Sequence, residues 1–282
     1  MSPTFVLVHG AFATSFSFAP LQAELALRGV RSLAVDLPGH GFEATYPAAY
    51  QAPQDPAALA TTPGAIKGVT LADNVARVVA VLERVREHGP AILVGHSRGG
   101  MTVTAVANAR PDLVDRLVYV SAWAPVELDA AAYNAEPEMA SVDAAALAGA
   151  LAANPADVGL LRCNFRTADP DVLAGLKALF HADGTDDEFR AVLNLFQPDE
   201  NLDTGTADDV AQADTWGTVP RTYVRLTEDA SLPLAMQNRL IREGDALTPD
   251  NPYDVRDLSS SHLGWLVHPA PAADLLAELA AR

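Results

Sequence analysis

Residues 4–8 form a short, continuously apolar run, and residues 31–35 form a second. Between them Phe18, Leu21 and Leu25 fall at helical spacing, with Pro20 near the start and Gly29 at the end, so residues 18–28 are predicted as the helix of a β-α-β unit. Thr70-Leu71-Ala72-Asp73 reads as a capping box, and Leu71, Val75, Val78, Val79, Leu82 and Val85 form an apolar stripe as far as Gly89, which predicts a second amphipathic helix. A buried strand follows at 91–94 and an Ala/Val-rich helix at 101–109, stopped before Pro111. Further strands are expected at 117–121, 221–226 and about 253–258, and a closing helix near 272–281. Strands with so little polar alternation, separated by helices, indicate a mainly parallel sheet covered on both faces.

Two stretches break this rhythm. Residues 43–68 are rich in Pro, Ala and Gln without a period, and a long irregular excursion in a compact domain is usually functional or mobile. Residues 127–214 are rich in Ala, Asp and Leu and are broken at Pro137, Pro155, Pro170 and Pro198. They read as several short helices without a strand, an inserted helical lid. The expected organisation is therefore a core made of residues 1–126 and 215–282 with a lid at 127–214. Both irregular stretches leave from predicted strand ends, where ligands bind in such sheets, so they are expected to meet over the site and set substrate choice.

Composition narrows the partners. The formal net charge is -17 and the only lysines are Lys67 and Lys177, so there is no basic face for nucleic acid or an anionic membrane. A single cysteine, Cys163, cannot form an internal disulfide and is expected to be a buried filler. No Cys/His cluster suggests a metal. The first strand leaves no room for a signal peptide, and no run approaches a membrane span, so a cytoplasmic location is the default expectation. Gly39, Gly41 and Ala44 mimic a dinucleotide fingerprint, but Pro47, Pro53 and Pro56 fall where its helix should run, which argues against a nucleotide site.

The chemistry centres on Gly95-His96-Ser97-Arg98-Gly99, between the strand at 91–94 and the helix at 101–109. In a G-x-S-x-G elbow the serine sits on a strained strand-to-helix turn, with glycines where a Cβ would clash. Ser97 is thus the expected nucleophile, and a serine hydroxyl needs a histidine base held in one tautomer by a carboxylate. These follow the serine in the order acid, then histidine, from later strand ends. His262 follows the last strand on Ser259-Ser260-Ser261, with His268 a rival further from the strand end. Asp229 follows the strand at 221–226, with Glu228 and Asp129 as competitors. The oxyanion needs two donors; the backbone amides of Ala11, in the turn after the first strand, and Arg98 are the choices. Phe12 and Trp123 are the favoured pocket aromatics, ahead of Phe16 and Trp265. His96 is expected to be packed and bonded to backbone. Arg98 is expected to pair with an acid beneath the lid; the competing role for its guanidinium is to hold a substrate carboxylate.

His9-Gly10-Ala11, Gly95-His96-Ser97-Arg98-Gly99-Gly100, Thr227-Glu228-Asp229 with Pro233 and Gln237, and Ser261-His262 together resemble the α/β-hydrolase fold family. They are most similar to its methylesterase and hydroxynitrile lyase branch, from residue 4 to the end of the chain apart from 43–68 and 242–252. The resemblance implies an α/β-hydrolase fold, a triad at Ser97, Asp229 and His262, and an oxyanion hole at the Ala11 and Arg98 amides. It also implies the esterase side of the branch. Cyanohydrin-cleaving members carry a threonine and a lysine where this chain has Gly10 and Leu263, and the related dehalogenases and epoxide hydrolases carry aspartate at the position of Ser97.

The expected protein is a cofactor-free serine hydrolase that cleaves a carboxylic ester, thioester or lactone of a small to medium hydrophobic substrate through an acyl-enzyme. A lyase or C–C bond hydrolase on the same scaffold is the enzymatic alternative, since fold does not determine reaction. A ligand receptor without turnover is the alternative from another class.

Overall fold

In the computed structural model, which describes residues 2–281, six parallel strands lie in the order β2-β1-β3-β4-β7-β8. They are β1 (Thr4–Val8), β2 (Arg31–Val35), β3 (Ala91–His96), β4 (Arg116–Val120), β7 (Arg221–Leu226) and β8 (Asp254–Leu258). All fall within one or two residues of the expected positions. The alternation of side chains along each strand divides the core in two. Phe5, Leu7, Ile92, Val94, Val118 and Val120 face the helices Ala19–Leu27 and Ala270–Ala280. Val6, Val8, Leu93, Leu117 and Tyr119 face Leu71–Arg86 and Gly99–Ala109. The edges β2 and β8 carry exposed or half-buried charged residues such as Arg31, Asp254 and Asp257, which discourages pairing with another chain.

The capping box is present as read: Thr70 Oγ1 accepts the Asp73 amide at 3.2 Å, and the Asp73 carboxylate accepts the Thr70 amide at 2.9 Å. One helix, Leu234–Leu247, lies in a stretch that the apolar pattern left without an assignment. Its Gln237 is fully buried and bridges the end of β7, accepting the Leu226 amide and donating to the Leu226 and Leu232 carbonyls. The turn that carries Asp229 is thereby pinned to the helix behind it.

The segment between β4 and β7 holds short helices, among them Ala144–Ala150, Pro170–Phe180 and Asp186–Leu193. It is not free of strands: β5 (Leu161–Arg162) pairs antiparallel with β6 (Asp199–Glu200). Two-residue strands are too short to produce a hydrophobic period, and their cross-strand partners also form an ion pair. Buried Arg162 makes a bidentate pair with Asp199, both contacts at 2.6 Å.

The excursion at 43–68 departs from expectation in its placement. Arg162 donates to the carbonyls of Leu59 and Thr62, Gln54 pairs with Asn164, and Ile66 packs against Ala153, Val158 and Leu160. It braces the side of the insertion and contributes no residue to the cavity over Ser97. The reason is topological: it leaves from the edge strand β2, which β1 separates from β3.

Candidate active site

The chain runs from β1 to β2 on one side of the sheet and returns to β3 on the other side of β1, so a crevice opens at the carboxyl ends of β1 and β3, as in other open parallel sheets. Ser97 stands there with φ +53°. A non-glycine residue in the left-handed region costs about 1–2 kcal/mol, and neighbouring bonds hold it: the Ser97 amide donates to Val120, and its carbonyl accepts the Gly100 and Trp123 amides at 3.0 Å. At Gly99 an added Cβ would lie 2.6 Å from the carbonyl oxygens of Val8 and His9. At Gly10 it would lie 2.8 Å from Ser97 Cβ. The glycines on both sides of the crevice are therefore required by contact with backbone or with the serine.

His262 and Asp229 converge from β8 and β7. His262 Nδ1 lies 2.6 Å from Asp229 Oδ2, with both side chains buried. The same Oδ2 accepts the Ser121 hydroxyl at 2.6 Å, while Oδ1 accepts the Ser231 and Leu232 amides at 2.7 and 2.9 Å. Ser121, at φ +36° after β4, is a partner that sequence reasoning missed; its signal was a serine at a strand end, informative only once β4 is known to neighbour β7. The loop of His262 is clamped by the insertion: the Leu263 amide donates to the Phe180 carbonyl at 2.9 Å, and Asp183 accepts the Ser261 amide at 2.9 Å and the Ser261 hydroxyl. Ser97 and His262 line one cavity without a direct hydrogen bond between them, as is common in unliganded sites.

The competing residues lie elsewhere. Glu228 bonds the Ser259 hydroxyl, Asp129 caps Ala130–Tyr133 through the Ala132 amide, and His268 is exposed and pairs with Glu188. His96 is buried against the His262 carbonyl, 3.1 Å from its Nε2, and its ring packs edge-on to Trp265. Burial, with His262 close by, holds its pKa well below the ordinary value, so it packs as a neutral residue. The Arg98 guanidinium bonds Asn201 Oδ1 at 2.6 Å and the Asp203 carbonyl, with Glu200 at 3.9 Å. This agrees with the expected pairing with an acid beneath the insertion.

Ala11 and Arg98, whose amides were expected to receive the oxyanion, both line the cavity with Ser97. So do Phe12 and Trp123, whereas Phe16 is half exposed and Trp265 is buried outside it. The cavity, about 460 Å³, is within the range of small-molecule sites. Its upper wall comes from the insertion and is mostly apolar: Met139, Val142, Leu147, Leu151, Phe180 and Phe196.

Beneath the turn after β1 lies a group that sequence reasoning did not single out. Glu200 of β6 accepts the Phe12 amide at 2.8 Å and His40 Nε2 at 3.2 Å. Burial opposes its ionisation, but the charges of His40 and Arg98 outweigh this and lower its pKa to about 2. Burial likewise disfavours protonation of His40, and Glu200 reverses that and raises its pKa. The neighbouring His9 is pushed down to about 4 by burial and by His40; its Nε2 accepts the Leu37 amide.

A parallel sheet with a serine elbow at its switch point and an acid and a histidine from later strand ends defines an α/β hydrolase, and residues 5–277 match the Alpha/beta hydrolase family. The chain belongs to that family. Among its relatives is a pyrethroid hydrolase of Sphingobium wenxiniae, 25% identical over 280 residues that cover 98% of this chain and 86% of the relative. The crystal structure of polyneuridine aldehyde esterase superposes with a TM-score of 0.71 at 20% identity, covering 99% of both chains. That of a pyrethroid hydrolase variant gives 0.70 at 23% identity, covering 99% of this chain and 98% of the other. The structural likenesses establish the fold, and the named relatives are esterase-type hydrolases, on the side of the family to which the motifs pointed. No helix among the described residues is long and apolar enough to cross a membrane.

Proposed function

We propose that this protein is a serine hydrolase that cleaves a carboxylic ester, thioester or lactone of a small to medium hydrophobic substrate, using Ser97, His262 and Asp229, without a cofactor. The observation that carries the reading is the 2.6 Å contact of His262 with a carboxylate that three other donors hold in place, in a cavity shared with a serine at φ +53°. His262 takes the proton of Ser97 Oγ as that oxygen attacks the substrate carbonyl. The Ala11 and Arg98 amides receive the oxyanion, and Asp229 holds His262 with Nδ1 protonated and Nε2 free to accept. The protonated His262 then donates to the leaving alcohol. Water, deprotonated by the same imidazole, opens the acyl-enzyme.

Residues 127–214 act in this reading as a lid, or cap, over the 1–126 and 215–282 core. An apolar wall on this side favours hydrophobic acyl or alcohol groups by about 25 cal/mol per Å² buried. The relatives' names, a pyrethroid hydrolase and an esterase, support a small-molecule ester as the substrate.

The test is labelling with a fluorophosphonate probe, together with hydrolysis of p-nitrophenyl esters of increasing chain length. Wild type should label and turn over, and Ser97→Ala should do neither. Equal labelling of both proteins would remove Ser97 from the nucleophile's role.

A further inference from the structure

We infer that Glu200, a carboxylate of the insertion that lies outside the Ser97, Asp229 and His262 set, is a positioning residue for the oxyanion hole and acts through the peptide of Phe12. The inference rests on the serine hydrolase reading above.

Three observations support it. First, Phe12 is held at φ +58°, a conformation that a bulky residue does not adopt unaided. Its amide donates to Glu200 Oε2 at 2.8 Å and its carbonyl accepts the Gln197 amide at 2.9 Å. Both anchors of the strained residue belong to the insertion, three residues apart. The Phe12 N–H and the Ala11 carbonyl share one rigid peptide plane, so fixing the former restrains the ψ rotation of Ala11, one of the two torsions that separate this plane from the Ala11 amide.

Second, the same carboxylate reaches the other donor's residue. Glu200 Oε1 accepts the Asn201 amide at 2.9 Å and Asn201 Nδ2 at 3.0 Å, and Asn201 Oδ1 in turn accepts Arg98 Nη2 at 2.6 Å. The two strand-end turns that supply the oxyanion donors, after β1 and after β3, are thus tied to one side chain.

Third, a buried negative charge beside a developing oxyanion would oppose it unless balanced. His40 at 3.2 Å and Arg98 at 3.9 Å lie against Glu200 and offset its charge. The residue can therefore brace the turn without cancelling the stabilisation that the amides provide.

The experiment compares wild type, Glu200→Ala and Glu200→Gln for p-nitrophenyl ester turnover, active-site titration, and inhibition by an alkylboronic acid, which forms a tetrahedral adduct on the serine. Misplacing an oxyanion donor should lower kcat roughly 100-fold in the alanine variant with KM changed less than about threefold. The boronate Ki should rise by a similar factor, because the adduct uses the same two amides. Gln can still accept the Phe12 amide, but its NH2 then faces the two donors of Asn201, so it should recover roughly tenfold of the loss.

A boronate Ki within about twofold of wild type in the alanine variant would overturn the inference, as would a glutamine variant no better than alanine. A loss confined to the titratable fraction of sites, with Ki unchanged, would mean that Glu200 only supports folding, and would also overturn it. Ki does not depend on the folded fraction, so a poorly folding variant still gives an answer. If wild type itself lacks turnover and boronate inhibition, the hydrolase reading fails first; normal wild-type behaviour with unaffected variants removes this inference alone.

Discussion

Replacing Asp229 by Asn tests how the acid holds the base. Oδ1 faces two backbone N–H groups, from Ser231 and Leu232, which cannot reverse their direction. The carbonyl oxygen of an asparagine must therefore take that position, and its NH2 is directed at His262 Nδ1 and Ser121 Oγ. Two donors cannot share a hydrogen bond, so His262 switches to the tautomer with Nδ1 unprotonated and Nε2–H facing Ser97. That nitrogen can no longer accept the serine proton. A wrong tautomer in a triad of this type lowers kcat by about 10⁴-fold, which corresponds to about 5 kcal/mol of lost transition-state stabilisation.

Folding should be affected far less. Both backbone bonds survive and the Ser121 hydroxyl can rotate to accept, so the melting temperature should move by no more than about 5 °C. The assay is steady-state hydrolysis of a p-nitrophenyl ester beside a thermal melt of the same preparation. Turnover within about tenfold of wild type in a folded Asp229→Asn protein would refute the reasoning, because the general base would then not depend on this carboxylate.

Acid should act on the buried histidine just past β1. Burial and His40 push the His9 pKa down to about 4 in the fold against 6.5 in the unfolded chain, so between those values the unfolded state binds more protons and stability is lost as the pH is lowered, by up to about 3 kcal/mol once both are crossed. Relative to wild type, His9→Gln should therefore gain by about that amount in unfolding free energy between roughly pH 7 and pH 4, read from urea midpoints; parallel profiles for the two proteins would refute the assignment. Replacing residues 43–68 with a Gly-rich bridge should lower stability, since the Leu59 and Thr62 carbonyls that satisfy Arg162 are lost, with a cost of about 1–3 kcal/mol for the unpaired buried donor. The order of preference among esters of different length should stay the same, because no residue of this stretch lines the cavity; a reordered panel would place the excursion in the pocket after all.

Local patterning alone determined the strands, the capped helix Leu71–Arg86 and the serine elbow, because the buried central strands must be almost wholly apolar, the edge strands keep a shorter apolar signal, and the elbow permits only small residues at Gly95 and Gly99. Asp229 and His262 were legible because each stands just beyond such a strand. What needed the tertiary structure were the contacts between segments far apart in sequence. The two-residue strands β5 and β6 are joined across 37 residues by the Arg162 and Asp199 pair, Ser121 matters because β4 lies beside β7, and Glu200 reaches Phe12 across 188 residues. A polar residue's partner is determined by direction and distance within about 3 Å, and no hydrophobic period records that. The excursion at 43–68 shows the same limit: its irregular composition marked it as unusual, but only the order of the strands decided that it braces the insertion from the side while residues 127–214 face Ser97.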